Sequence, residues 1–222
     1  MELLIFGHAG QPMLVFPTSM GRFHDYEERG LIAAAAHQYE NGRLQAFCVD
    51  SVDAESWYNK AVHPSQRVLR HTQYEQYLLD EVLPFARARS PAERVTVTGC
   101  SFGGYHTINF ALRHPELVNC AVSMGGAFDI HPFIGDHYDD NCYFNCPPDF
   151  LPNLGDERYL DQYRRHTRLV LATGEADLCL AENLRLSGIL NRKSVPHWLD
   201  VWGGGAGHDW PWWREMVRKF FG

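Results

Sequence analysis

The segment Gly99–Gly103 constrains the fold of this chain more than any other, because it has the pattern G-x-S-x-G. Residues 94–98 before it alternate and are rich in β-branched side chains, which predicts a strand. Residues 104–112 after it predict a helix. Strand, G-x-S-x-G and helix in this order predict a sharp turn that projects the Ser101 hydroxyl from the edge of a sheet. The N–H of Phe102 is then free at a helix N-terminus, where negative charge is favoured.

A serine hydroxyl at such a turn needs two partners to act as a nucleophile, a histidine base and a carboxylate that orients the base. Sites on parallel sheets form at the carboxyl ends of the strands, so both partners are expected in loops after later strands. Residues 195–202 predict the last strand, and the glycine-rich segment 203–207 after it predicts a loop. His208 follows this loop and is the candidate base, and His197 inside the predicted strand is the alternative.

The candidate acid lies after the apolar run 168–173, which predicts another strand. Asp177 ends the turn 174–177, and a helix is expected to begin near Cys179. In this position Asp177 would face the histidine, although an aspartate there is also typical of a helix N-cap. Glu175 on the same loop is the alternative acid.

A further pair of candidates would bind the negative charge that develops on a carbonyl oxygen when the serine attacks it. Two backbone N–H donors are needed, and Phe102 supplies one of them. Residues 13–16 predict an early strand, and the loop after it offers the N–H of Ser19 or of Met20 as the second donor. Pro17 in this loop has no N–H and is excluded.

Strands and helices alternate along the rest of the chain, which predicts an α/β fold with a mainly parallel central sheet and helices on both faces. The length suits a single domain over residues 1–222. Residues 44–49 and 119–124 predict further strands. Residues 66–89 predict a long helix that Pro84 kinks or ends early.

The segment 125–154 predicts an irregular, aromatic-rich insert, and a long irregular segment in a compact domain usually serves function. We interpret it as a short lid over the site. Aromatic residues of the lid and of the last helix are the candidate substrate contacts, namely Phe128, Phe133, Tyr143 and Trp210. An equally good alternative is that these rings anchor the insert to the core.

Charge and cysteine content exclude several classes of partner. The net charge of −7 argues against nucleic acid and anionic membranes, which bind basic patches. No apolar run reaches the length of a membrane span and the N-terminal residues lack the pattern of a signal peptide, so we expect a cytoplasmic protein.

Cys142 and Cys146 are the only close pair among six cysteines. This pair could form a disulfide or half of a metal site, but zinc needs about four ligands and no second pair lies near it, so we expect free thiols and no metal, and whether the two thiols pair stays open.

These motifs together resemble the α/β-hydrolases, and more narrowly the esterase group that includes esterase D-type S-formylglutathione hydrolases, feruloyl esterases and mycolyltransferases. Four segments spread over nearly the whole chain carry the resemblance, namely 16–19, 99–104, 174–177 and 207–210. The resemblance implies an α/β-hydrolase fold and a serine hydrolase that cleaves a small-molecule carboxylic ester through an acyl-enzyme on Ser101, without a cofactor. Members of the group usually carry His-Gly or Ser-Gly before the oxyanion donor, where this chain has Pro17-Thr18.

Two alternatives to ester hydrolysis stay open. An acyltransferase or a thioesterase would use the same residues with another acceptor or leaving group. A non-catalytic binding module on the same fold would be expected to lack part of the set Ser101, Asp177 and His208, and the chain has all three. Because this fold hosts many chemistries, neither the substrate nor the oligomeric state follows from the sequence.

Overall fold

A seven-stranded sheet forms the centre of the protein, whose computed structural model describes residues 1–222. The strands are β1 Leu3–Phe6, β2 Gln11–Phe16, β3 Leu44–Val49, β4 Val95–Cys100, β5 Val118–Met124, β6 Arg168–Ala176 and β7 His197–Gly207. Their order across the sheet is β1-β3-β2-β4-β5-β6-β7, and β1 alone is antiparallel to its neighbour. The predicted α/β fold with a mainly parallel sheet is confirmed. Because β2 and β4 are neighbours, the loops that follow them meet at the carboxyl edge of the sheet.

Helices cover both faces of the sheet. They are α1 Asp25–Glu28, α2 Leu31–Ala34, α3 Ala36–Glu40, α4 Pro64–Tyr77, α5 Leu83–Arg87, α6 Phe102–Arg113, α7 His131–Ile134, α8 Asp140–Phe144, α9 Pro147–Asn153, α10 Glu157–Arg165, α11 Leu180–Arg192 and α12 Trp210–Phe221. On one face, α4, α5, α6 and α11 form the larger core with the strands. On the other face, α1, α2, α3 and α12 form a smaller core. None of these helices combines the length and the apolar character that crossing a membrane requires.

The long helix predicted over 66–89 is interrupted. α4 ends at Tyr77, and residues Leu78–Val82 form a π-helical turn before α5 begins. Pro84 accounts for the interruption, because it has no N–H to donate to the carbonyl one turn earlier and its ring crowds that carbonyl. The wider turn accommodates the proline while Leu78 and Leu83 both stay in the larger core.

The glycine-rich segment 203–207 is not the loop that its composition indicated. It continues strand β7, which pairs with β6 across a bulge after Gly174. Two of its glycines have positive φ, and a Cβ on Gly174 would meet the carbonyl oxygen of Ala206 at 2.0 Å. The glycines therefore form a bulge opposite Glu175, after which β7 pairs with β6 again at Gly207 and leads directly to His208.

The segment 125–154, predicted to be irregular, contains the short helices α7, α8 and α9. Part of it covers a third cluster of buried side chains, which includes Trp57 and Phe102. Cys142 and Cys146 belong to this cluster, and both are fully buried and unpaired. The segment is thus packed against the start of α6 over much of its length.

Candidate active site

Ser101 occupies the sharp turn between β4 and α6. Its backbone has φ 56° and ψ −123°, a conformation that is unfavourable for any residue other than glycine. Flanking glycines make the turn possible, because a Cβ on Gly99 would meet the backbone of Gly103 at 2.4 Å. A Cβ on Gly103 would in turn meet the carbonyl oxygen of Pro17 at 2.5 Å. The Ser101 N–H donates to the carbonyl of Met124 at 2.9 Å, so the backbone of the turn is fixed at the carboxyl edge of the sheet.

The structure brings together the three side chains that the sequence singled out. His208 Nε2 lies 2.9 Å from Ser101 Oγ, and His208 Nδ1 lies 2.8 Å from Asp177 Oδ1. The Asp177 side chain is fully buried, while the His208 side chain keeps 16% of its exposure. In such an arrangement the imidazole can take the serine proton, and the carboxylate holds the ring in the tautomer that carries its proton on Nδ1.

Hydrogen bonds keep Asp177 ionised. Its Oδ1 accepts from the His208 ring and from the N–H of Cys179, the latter at 2.7 Å. Burial is the largest single influence and raises the pKa of this carboxyl, but the hydrogen bonds from His208 and Cys179 outweigh it, so the pKa is lowered overall. The ring of Trp213 packs edge-on against His208, with 4.9 Å between centroids. The imidazole is thus held both by the carboxylate and by an aromatic ring.

The two alternative residues lie outside this chain of hydrogen bonds. His197 is at the start of β7, the end opposite to His208, and its Nε2 bonds to the Ser187 hydroxyl at 2.7 Å. Glu175 is exposed and accepts the N–H of Gly205 at 2.7 Å. The geometry therefore favours His208 over His197 and Asp177 over Glu175.

The loop after β2 is fixed by carboxylates on both sides. Thr18 donates its N–H and its hydroxyl to Asp25 Oδ2, at 3.1 Å and 2.9 Å. The N–H of Met20 donates to Asp53 Oδ2 at 3.3 Å, so it is already engaged. Ser19 lies between them, and its N–H has no acceptor within the protein. Of the two predicted donors, the geometry favours Ser19.

The family model described as "Putative esterase" matches residues 23–219 of this sequence. The chain belongs to this family. It is a carboxylic ester hydrolase of the α/β-hydrolase superfamily, and the resemblance inferred from its motifs is confirmed.

Solved structures similar to this esterase are distant from it in sequence. A ferulic acid esterase matches with a TM-score of 0.74 at 15% identity, over 96% of this chain and 84% of its own. An S-formylglutathione hydrolase from Staphylococcus aureus matches with a TM-score of 0.72 at 18% identity, over 97% and 81%. One from Agrobacterium tumefaciens matches with a TM-score of 0.67 at 13% identity, over 99% and 85%. These likenesses show a shared fold. A comparison with curated proteins finds no match.

Next to the nucleophile, this esterase has an aromatic wall formed by Tyr58, Phe102 and Phe133. The Phe133 ring centroid lies 4.9 Å from that of Tyr58 and 5.3 Å from that of Phe102. Phe102 is buried, whereas Tyr58 and Phe133 are partly exposed. Of the four predicted substrate contacts, Phe133 is thus the one that lies beside the turn that carries Ser101, which we call the elbow.

The other three predicted contacts lie elsewhere. Phe128 is fully buried in the larger core, so the prediction of a substrate contact is wrong for this residue. Tyr143 packs against the same core from α8. Trp210 packs edge-on against Trp213 at 5.0 Å, and the Trp213 ring lies between it and His208. For Phe128 and Tyr143 the anchoring alternative describes the observed packing better.

The sequence reasoning missed three residues around the elbow of this esterase. Asp53 and Tyr58 contact the loop after β2, and His106 on α6 bonds to Asp53. No motif marks them. The available signal was position, because the residues after β3 lie at the carboxyl edge of the sheet, where sites of this fold form.

Three groups of side chains have the composition of metal sites, namely Asp129, His131 and Cys146; His137, Asp139 and Cys142; and Asp177, Cys179 and His208. In each group the carboxylate already bonds to the histidine. Burial raises the pKa of the thiols, to about 11 for Cys142 and about 12 for Cys179. In this structure the three groups are therefore hydrogen-bonded clusters with protonated thiols.

Proposed function

We propose that this esterase hydrolyses small-molecule carboxylic esters through an acyl-enzyme on Ser101. One observation carries the proposal: an unbroken chain of hydrogen bonds runs from Asp177 through His208 to Ser101, which lies on a strained turn at the sheet edge. A hydroxyl needs such a chain to become a nucleophile. Membership of the esterase family supports the assignment of an ester as substrate.

In the acylation step, Ser101 Oγ attacks the carbonyl carbon of the ester while its proton passes to His208 Nε2. The ionised Asp177 stabilises the imidazolium that forms. The N–H groups of Phe102 and Ser19 bind the negative charge on the carbonyl oxygen. Collapse of the tetrahedral intermediate breaks the bond to the alcohol oxygen, which takes the proton from His208 Nε2.

In the deacylation step, water attacks the acyl carbon and gives a proton to His208 Nε2. The same two N–H groups bind the oxyanion again. Collapse breaks the bond to Ser101 Oγ, which recovers its proton, and the carboxylic acid is released. Each turnover consumes one water and returns every protein group to its starting protonation state, so the cycle needs no cofactor.

The aromatic wall supports substrates with an apolar acyl or alcohol group. Tyr58 and Phe133 present partly exposed rings beside the elbow. Leu178 and Met20, which follow Asp177 and Ser19 in their loops, are also exposed and add apolar surface near the site. An apolar group that covers these side chains is removed from water, which favours its binding.

The proposal is tested by following hydrolysis of p-nitrophenyl esters of increasing acyl length by wild type and by Ser101→Ala. We expect kcat to fall about 10⁴–10⁶-fold, because binding and the oxyanion hole alone remain. The thermal unfolding midpoint should not fall, and a fluorophosphonate should label wild type at Ser101. Ser194→Ala is the matched control, since Ser194 also has a positive φ of 54° but lies in the turn between α11 and β7.

The same panel includes thioesters, and alcohols as acceptors. Preferred turnover of a thioester would replace the hydrolase assignment with a thioesterase on the same residues, and formation of a new ester would replace it with an acyltransferase. Activity of Ser101→Ala within about tenfold of wild type would refute the role of Ser101 as nucleophile.

A further inference from the structure

Asp53 is a fully buried carboxylate that takes no part in the proposed chemistry. It lies between β3 and α4, at the carboxyl edge of the sheet. Its Oδ1 is 2.9 Å from His106 Nε2, and its Oδ2 accepts the N–H of Met20 at 3.3 Å. Removing a carboxylate from water is strongly unfavourable unless it is hydrogen-bonded, so these two partners determine where it lies.

The two partners of Asp53 belong to the two elements that carry the proposed oxyanion donors. His106 is on α6, one helical turn after Phe102, and the two rings pack edge-on with 5.2 Å between centroids. Met20 directly follows Ser19 in the loop after β2. One carboxylate is therefore bonded both to the helix that carries the Phe102 N–H and to the loop that carries the Ser19 N–H.

A second route connects Asp53 to the same loop. Its backbone carbonyl accepts the N–H of Tyr58 at 3.0 Å, and the Tyr58 hydroxyl donates to Ser19 Oγ at 2.9 Å. Met20 is held at φ 54°, which residues other than glycine adopt only when their surroundings impose it. Without the Asp53 carboxylate the Met20 N–H would lose its acceptor, so we expect the φ of Met20 and the orientation of the adjoining Ser19 to change.

We infer that Asp53 is a positioning residue that sets the spacing of the two N–H donors of the oxyanion hole. The inference rests on the proposed function, because this spacing affects the rate of hydrolysis only if Ser101 attacks a carbonyl carbon and an oxyanion forms on the carbonyl oxygen. A matched pair of donors acts on the transition state more than on the bound ester. Loss of Asp53 should therefore lower kcat and leave KM nearly unchanged.

The test compares wild type and Asp53→Ala on an aryl ester and on the matching thionoester, in which sulfur replaces the carbonyl oxygen. Sulfur is a weak hydrogen-bond acceptor, so turnover of the thionoester depends much less on the donors. We expect kcat for the ester to fall about 10–100-fold, less than the loss from removing a donor entirely. The thionoester kcat should change less than about threefold, so the ester-to-thionoester ratio falls, which a general loosening of the fold would not cause.

Glu75→Ala is the matched control. Glu75 is also a buried carboxylate, and it forms hydrogen bonds with Arg113, the last residue of α6, and with the neighbouring His114. It has no hydrogen bond to the loop that carries Ser19. Its replacement should lower the thermal unfolding midpoint without changing the ester-to-thionoester ratio. Asp53→Asn keeps an acceptor for one hydrogen bond, so its ratio should lie between those of wild type and Asp53→Ala.

Asp53→Asn keeps the volume of the side chain but not its charge, so it decides the matter if Asp53→Ala does not fold. It should lower the ratio by at least about threefold. An unchanged ratio in the deciding variant, or an equal loss on both substrates, overturns the inference. The proposed function fails separately, and the inference with it, if Ser101→Ala keeps the ester activity.

Discussion

Replacing Asp177 by asparagine should separate the charge of this residue from its geometry. Asp177 Oδ1 accepts from both His208 and Cys179, so an amide oxygen in the same place can keep both hydrogen bonds. What asparagine loses is the charge that stabilises the imidazolium. For charge centres about 4 Å apart at an effective dielectric constant of about 20, this stabilisation is about 4 kcal/mol. It corresponds to a loss of about 10³-fold in kcat/KM, and an amide that also held the wrong tautomer would raise the loss to about 10⁴-fold.

The assay is kcat/KM for one p-nitrophenyl ester, with thermal unfolding as the check that the variant is folded. Glu175→Gln is the matched control, because it removes a carboxylate from the same loop, where Glu175 is exposed and bonds only to the N–H of Gly205. An exposed charge contributes little, so this variant should stay within about threefold of wild type. If Asp177→Asn kept more than about a tenth of the activity, the electrostatic reasoning would be refuted. The reverse pattern would make Glu175 the acid.

Phe133→Ala should change the relative kcat/KM among acyl groups by about 1–3 kcal/mol, because the ring belongs to the aromatic wall. Phe128→Ala is its control in the core, and it should lower the free energy of unfolding by about 3–5 kcal/mol without changing the relative kcat/KM among acyl groups. An equal change of this acyl preference in both variants would contradict the assignment of Phe133 to the aromatic wall. Acid should destabilise the fold through His71, because burial, followed by repulsion from His106, lowers the pKa of its imidazole to about 3. The unfolded chain takes up this proton below about pH 6.5 and the folded chain only near pH 3, so stability falls across that window as pH falls, by about 1.4 kcal/mol per unit. Urea unfolding at pH 7 and pH 5 should show a loss about 2 kcal/mol larger in wild type than in His71→Gln, and equal losses would exclude His71 as the cause.

The order of the candidate site residues could be predicted because their signals are local. Ser101 lies in a strand–turn–helix pattern. Asp177 follows an apolar, strand-length run and a turn that begins with glycine, and His208 follows a predicted strand and a glycine-rich segment. Parallel strands present their carboxyl ends at one edge, so residues after such strands were expected to meet. The structure brings these three side chains within hydrogen-bonding distance.

Features that depend on packing between distant segments could not be predicted in the same way. The glycines of 203–205 have no strand propensity, and they form a bulge after which β7 pairs with β6 again at Gly207. Phe128 and Phe133 lie in the same aromatic-rich insert, yet one is in the core and the other in the aromatic wall. Without a period of 2 or 3.6, a sequence gives no indication of which ring points inward. Asp53 escaped notice because its partners come from β2 and α6, elements that only the sheet order brings beside it.

At Ser101, the residue that would give the most stable fold differs from the residue that activity requires. A residue with a Cβ at φ 56° and ψ −123° stores about 1–3 kcal/mol of strain, which glycine would release at a cost of at most about 1 kcal/mol in unfolded-chain entropy. The substitution that best relieves the backbone here is therefore the one that removes the hydroxyl. Selection of more thermostable variants from a random library, without a screen for turnover, would enrich inactive proteins at this position. Stabilisation of this esterase has to come from other parts of the chain.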